Sequence, residues 1–262
     1  MALLPVRTFD GDDQIRCLPG SADITGAWSI AALMRVPVSG FYSVVQGHVS
    51  STSARGYGLE TNSGRSLGVY STSGGEPFTG SNFLPASGWA LIAVTKASGA
   101  EYPTFHCYDF DERTWRPPAR GGARVNNPAA FGPSGGFLYF GTYQTSYRFR
   151  GQLAAIAMWN AVLTTETVRQ LKSVAGLERW ADVAAPKALW LFDQASAEIS
   201  VRDRVGGAHE YDHVGTVAEL VDDLPIPYRP SIAVYDDTGW NPQSLQTYDG
   251  ANWTNATFVG VL

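Results

Sequence analysis

From Phe9 to about Asn160 the apolar residues fall into short runs of strand length, separated by turn-forming residues every ~8–12 positions. Ala27 to Val36 (AWSIAALMRV) is rich in strand formers and stops at Pro37, and Phe41 to Val49 follows it. Gly56 to Glu60 and Ser66 to Tyr70 flank Thr61-Asn62-Ser63-Gly64. They predict a hairpin in which Asn-Ser-Gly supplies the positive φ of a tight turn. Trp89 to Lys96 turns at Ser98-Gly99 and returns as Thr104 to Phe110. Asp111 to Pro133 is rich in Pro, Gly, Arg and Asn and reads as a long surface loop. Gly136 to Tyr143 and Phe149 to Trp159 complete the series, with Trp28, Trp89 and Trp159 as predicted core residues.

One segment changes period. Thr164 is an N-cap candidate with Glu166 in the first turn, where negative charge suits the helix dipole. Leu163 and Val168 have the spacing of a hydrophobic staple. Val168, Leu171 and Val174 form one apolar stripe, and Gly176 stands where a C′ residue belongs. A helix this short and single is a lid on a sandwich. Pro186 to about Val217 resumes strand character, and Leu224 to Pro230 (LPIPYRP) reads as a stiff linker. Tyr235-Asp236 with Trp240 then recurs as Tyr248-Asp249 with Trp253, an offset of 13 residues. Each unit predicts a small hairpin with an aromatic at either end. The expected organisation is a sandwich over 1–222, a Pro-rich linker over 223–230 and a β appendage over 231–262.

Composition narrows the class. Charged residues are 16% of the chain, while Gly (28), Trp (8) and Tyr (12) are generous, which suits strands and tight turns. The net charge of −5 comes without any run of Lys or Arg, so a phosphate backbone has little to bind and no nucleic-acid partner is expected. The start, MALLPVRTFDGDD, lacks the regions of a signal peptide, and no run approaches the ~20 apolar residues of a membrane span. Cys17 and Cys107 are too few for a disulfide framework and read as half-buried thiols, with a single bridge left open.

Three patterns resemble catalytic motifs and fail on context. His209-Glu210-Tyr211-Asp212-His213 fits H-E-x-x-H, which holds zinc only on a helix, whereas Gly206-Gly207 and Gly215 bracket it and its alternation suits a strand. Two histidines four apart on a strand stand about 13 Å apart, too far for one metal. Gly64-Arg65-Ser66-Leu67-Gly68 fits the nucleophile elbow, but no helix follows. Asp109, Asp111 and Glu112 could serve a glycosidase only as a correctly spaced carboxylate pair, and they read instead as a solvated loop head. Asp10, Asp12 and Asp13 could offer oxygens to calcium, yet no ligand set is identified, so metal ligands stay unassigned. For a glycan, which needs an exposed aromatic platform beside polar groups, the candidates are Trp115 in the long loop and Tyr143, Tyr147 and Arg148 in GTYQTSYR.

The order of pieces over residues 9–175 resembles the laminin-G-like jelly roll of the concanavalin A-like superfamily. FDGDDQI resembles its first strand, AWSIAALMRV its second, GYGLETNSG its middle hairpin, GWALIAVTK its Trp-bearing strand and TFHCYDF the strand after that. FRGQLAAIAMWNAVLTTETVRQL resembles its closing strand, loop and helix. The E-x-D-x-x-E strand of the laminarinase-type enzymes in that superfamily is absent. Residues 186–216 resemble a W-x-F-D…D…G-G segment bordering such domains in microbial and viral surface proteins, and the tail repeats resemble those closing bacteriophage minor tail proteins.

The resemblance implies an all-β, concanavalin A-like jelly-roll β-sandwich with one short helix and a small C-terminal β appendage. It implies a non-enzymatic bacteriophage virion component, a minor tail or tail-tip protein made in the host cytoplasm, serving adhesion to host surface carbohydrate or subunit assembly. Its expected partners are other virion proteins and copies of itself, with no cofactor and with calcium left open. The alternatives are a capsid decoration or secreted lectin-like module, and an envelope-directed glycoside or zinc hydrolase.

Overall fold

Alternation along the strands places one set of apolar residues between two sheets and a second set on the outer face of one of them. The structure is a computed structural model. It describes residues 4–10, 14–17, 26–35, 42–48, 55–71, 77–99, 102–122, 138–143, 147–174, 176–192, 203–205, 210–214, 219–221, 225–226, 235–236, 239–240, 246–248 and 253–255. The strands begin with β1 (Leu4–Asp10), β2 (Gln14–Cys17), β3 (Trp28–Arg35), β4 (Tyr42–His48), β5 (Arg55–Thr61) and β6 (Leu67–Ser71). Next come β7 (Trp89–Lys96), β8 (Thr104–Asp109), β9 (Thr114–Trp115), β10 (Ala119–Arg120), β11 (Leu138–Phe140), β12 (Thr142–Tyr143) and β13 (Tyr147–Arg148). The long β14 (Arg150–Trp159) leads into helix α1 (Thr165–Ser173) and a 3₁₀ helix (Leu177–Asp182). β15 (Ala188–Leu191), β16 (Glu210–Val214) and β17 (Glu219–Val221) follow.

The nine-stranded first sheet runs β10-β8-β7-β3-β14-β1-β17, with β9 also on β8 and β15 also on β14; the six-stranded second sheet runs β16-β2-β11-β4-β5-β6. Among the described residues every strand pairing is antiparallel and the chain crosses repeatedly from one sheet to the other, which makes the protein an all-β jelly-roll sandwich. The core between the sheets takes Trp28, Ile30, Ala32 and Met34 from β3, Ala90, Ile92 and Val94 from β7, and Phe105 and Cys107 from β8. The second sheet answers with Ile15, Val44, Leu59, Leu67, Val69 and Phe140. Each such side chain of Leu or Phe size contributes about 1.5–3 kcal/mol by leaving water.

The other face of the first sheet is also covered. Ala31, Leu33, Leu91, Ala93, Leu189 and Leu191 pack there against Val168 and Leu171 of α1 and against Leu177 and Trp180 of the 3₁₀ helix. A bulge in β14 between Leu153 and Ala155 adjusts the alternation, so that Ala154 and Ala155 both join this outer cluster while Ile156 returns to the inner one. The Ser29 hydroxyl donates to the Ala161 carbonyl at 2.8 Å and accepts from the Leu163 amide at 2.9 Å, fixing the chain between β14 and α1. Thr164 caps the helix as expected, accepting from the Thr167 amide at 3.1 Å. The indole N–H groups of Trp159 and Trp180 donate to the carbonyls of Val183 and Leu171, so both rings are buried without an orphaned donor.

Four details differ from the sequence reading. The helix ends at Val174, and Gly176, expected as its C′ residue, has an extended backbone and opens the 3₁₀ helix instead. In the β5–β6 turn the positive φ falls on Arg65 (57°), because the Asn62 side chain accepts from the amides of Gly64 and Ser66 and sets the turn itself. The expected loop after Asp111 carries strands β9 and β10 at the edge of the first sheet; residues 123–137 lie outside the described residues. The expected linker contributes Ile226, 2% exposed, to the outer cluster.

Strands after the helix join the sandwich: β15 pairs with β14, β16 with β2 and β17 with β1. The Asp203 carboxylate accepts from the amides of Leu189 and Val205, both at 2.9 Å, which ties β15 to the segment around 203–205. Beyond, Tyr235 pairs with Trp240 and Tyr248 with Trp253 in two short hairpins, the register expected of the repeat.

Candidate binding site

Residues β8 does not send inward face the helix layer. Between the inward Phe105 and Cys107 stands His106, 3% exposed and turned toward α1, where burial, with the Arg169 guanidinium adding to it, brings its pKa down to about 4. Two positions on is Tyr108, and two further is Phe110, packed edge-on to it with ring centroids 4.9 Å apart. On its other side Tyr108 meets Trp115, its register partner on β9, at 5.1 Å. The Lys172 ammonium, in the last turn of α1, lies 4.9 Å above the Tyr108 ring, a cation–π contact.

These rings border a cavity of about 430 Å³ lined by Trp89, Tyr108, Phe110 and Pro225 and by three charged side chains, Asp111, Arg113 and Lys172. Its size falls in the ~300–1,000 Å³ range of small-molecule sites. Trp89 and Tyr108 are buried, while Asp111 and Arg113 are exposed at the mouth. The turn that carries them is built by Asp109, whose Oδ1 accepts from the amides of Asp111 and Glu112 at 3.0 and 3.1 Å and whose Oδ2 accepts from Arg116 at 3.1 Å. Asp109 is thus a buried turn staple and not the solvated loop head expected of it. Gly88 has a φ of +80°, and a Cβ there would stand 2.1 Å from Asp111 Oδ2, so only glycine lets that carboxylate lie where it does.

The four ligand candidates divide. Trp115 is a half-buried strand residue that buttresses Tyr108 from beside the cavity. Tyr143, Tyr147 and Arg148 sit on the β12–β13 hairpin, with Tyr143 opposite Tyr147 and Thr142 opposite Arg148, beside β4 of the second sheet. Their side chains lie outside the described residues. Trp115 stands on β9 at the edge of the first sheet, whereas the β12–β13 hairpin lies beside β4 of the second. What the sequence reading missed is the outer face of β8: Tyr108 and Phe110 alternate with the inward Phe105 and Cys107, and a strand apolar on both faces signals a second covering layer.

The motif-like patterns resolve structurally. Ser66 is 3% exposed, and Gly68 leaves room for the Phe78 ring, which a Cβ would meet at 2.2 Å. Glu210 to Val214 form β16, paired with β2, rather than a helix; His209 lies outside the described residues. Among the described residues no group of three or more His, Cys, Asp or Glu is placed to hold a metal, and Asp12 and Asp13 are not among them. Cys107 is a free, buried thiol. Among the described residues no helix is long and apolar enough to cross a membrane.

Two antiparallel sheets with this crossing pattern define a jelly-roll β-sandwich. Among solved structures the chain is similar to a Bacteroides ovatus protein described as carbohydrate-binding, with a TM-score of 0.58 at 13% identity, covering 85% of this chain and 61% of that one. It also aligns with a heptameric SAP-like pentraxin of Limulus polyphemus (TM-score 0.45, 12% identity, 63% of this chain and 79% of that one). The LG1-3 region of the laminin alpha2 chain aligns too (TM-score 0.43, 14% identity, 61% of this chain and 32% of that one). At these identities the likeness is one of fold. No protein-family model matches the chain, and no curated protein does.

Proposed function

We propose that the protein is a non-enzymatic binding module whose outer-face cavity takes a saccharide. The observation that carries this is the cavity itself. Phe110 offers its half-buried ring to the C–H surface of a sugar over a floor formed by the buried Trp89 and Tyr108, and Asp111, Arg113 and Lys172 offer hydrogen-bonding groups at the mouth. The description of the Bacteroides ovatus protein as carbohydrate-binding supports the same class. The setting we propose is a bacteriophage virion, in a minor tail or tail-tip protein, where the sandwich would serve adhesion to host surface glycans. The resemblance of the repeats around Tyr235 to Trp240 and Tyr248 to Trp253 to those closing bacteriophage minor tail proteins motivates that setting.

A glycan array probed with the whole chain tests the binding reading. Retention on defined saccharides without their cleavage is expected, and Phe110→Ala, which opens one wall of the cavity, weakens it several-fold. Turnover of a retained glycan, or no retention at all, would overturn it. Immunogold labelling of intact particles tests the setting, with label at the distal tail expected; label over the head would move the protein to capsid decoration, and unlabelled particles would end the virion reading.

A further inference from the structure

We infer that the cavity selects saccharides bearing one carboxylate, such as uronic or sialic acids; the inference rests on the saccharide reading above. Its charged lining is unbalanced, with two cations, Lys172 and Arg113, against one carboxylate, Asp111. Among the described residues none of the three is held in an ion pair, in contrast to Arg116, which pairs with Asp109, and Arg179, which pairs with Asp182. The free cations enter from different elements. Lys172 lies over the Tyr108 ring at the end of α1, and Arg113, itself at a φ of 53°, follows the turn that the Asp109 carboxylate staples through the amides of Asp111 and Glu112. A carboxylate between them would neutralise the surplus positive charge and gain charge-assisted hydrogen bonds.

The remaining lining fixes the rest of the ligand. Asp111 accepts hydrogen bonds from sugar hydroxyls and opposes a second negative charge, which disfavours phosphorylated or multiply sulfated ligands. Trp89, Tyr108 and Phe110 give a pyranose ring an apolar wall that a small free anion would leave unused. The ligand that uses every part of the site is an acidic sugar with one anionic group.

The test is calorimetric titration of the whole chain with matched pairs, methyl galacturonoside against methyl galactoside and N-acetylneuraminic acid against its methyl ester. At least one acid is expected to bind roughly tenfold more tightly than its neutral partner, as a charge-assisted hydrogen bond warrants. That preference is expected to shrink as salt screens the pair. Lys172→Gln and Arg113→Gln are expected to abolish most of the preference, weakening the acid several-fold more than its neutral partner. Equal binding of acid and neutral forms overturns the acidic-sugar inference and leaves the saccharide reading standing. A preference that survives both variants places the selecting charge elsewhere and overturns it as well. No binding of any member overturns both.

Discussion

The carboxylate of Asp111 lies so close over the Cα of Gly88 that a Cβ there would stand 2.1 Å from Oδ2. The residue just before β7 and a residue within the β8–β9 turn are thereby matched to one another, and the match positions a charged group at the cavity mouth. Gly88→Ala is expected to cost about 1–2 kcal/mol, from the φ of +80° and from displacing the carboxylate. It is also expected to weaken saccharide binding. Adding Asp111→Ala should recover part of the stability but none of the affinity, a non-additivity that urea denaturation of the four-member cycle measures. Strict additivity would mean that the two residues do not meet.

Much of the fold was legible because β-strands advertise themselves by period. AWSIAALMRV and WALIAVTK became β3 and β7 within a residue or two, and Leu163, Thr164 and Val168 gave the helix start through capping chemistry that is purely local. The site was not legible for a related reason. Tyr108 and Phe110 were readable as strand residues, but what covers the outer face of β8 depends on α1, more than fifty residues later, folding back over the sheet. Trp115 drew notice as an aromatic in a polar, Pro-rich stretch. Its register partner turned it into a buttress, a tertiary outcome that composition does not encode. Gly176 shows the same limit from the other side: a glycine after a helix can open the next turn instead of closing the last.

The D of the W-x-F-D…D…G-G segment has a structural task. Asp203 is 6% exposed and its Oδ1 satisfies two backbone donors, the amides of Leu189 and Val205. Asp203→Ala leaves the buried Leu189 amide and the part-buried Val205 amide without that acceptor and is expected to destabilise the protein by about 1–3 kcal/mol. Asp203→Asn keeps a side-chain oxygen in place and is expected to cost less than half as much. Guanidinium unfolding of the two variants checks the ordering, and equal losses would show that the negative charge, not the acceptor, is what β15 requires.

His106 gives the fold a pH dependence with a definite sign. In the folded chain its pKa lies near 4, below the ordinary 6.5, because burial disfavours the imidazolium and the Arg169 guanidinium across from it adds repulsion. The unfolded chain therefore binds a proton here at higher pH than the folded one does. Where the unfolded state holds more protons, stability rises with pH. The contribution is fully present above pH ~6.5 and is lost as the pH falls toward 4, reaching up to about 3 kcal/mol. Urea midpoints measured from pH 7 to 4 are expected to fall across that window, and His106→Gln, which cannot charge, is expected to flatten the fall while starting from a lower stability at pH 7. An unchanged slope in the variant would assign the acid sensitivity to other groups. Since α1 carries both Arg169 over His106 and Lys172 over Tyr108, charging His106 would strain the helix that holds one wall of the cavity. Saccharide affinity should accordingly decline over the same pH range as stability, and it should decline less in His106→Gln.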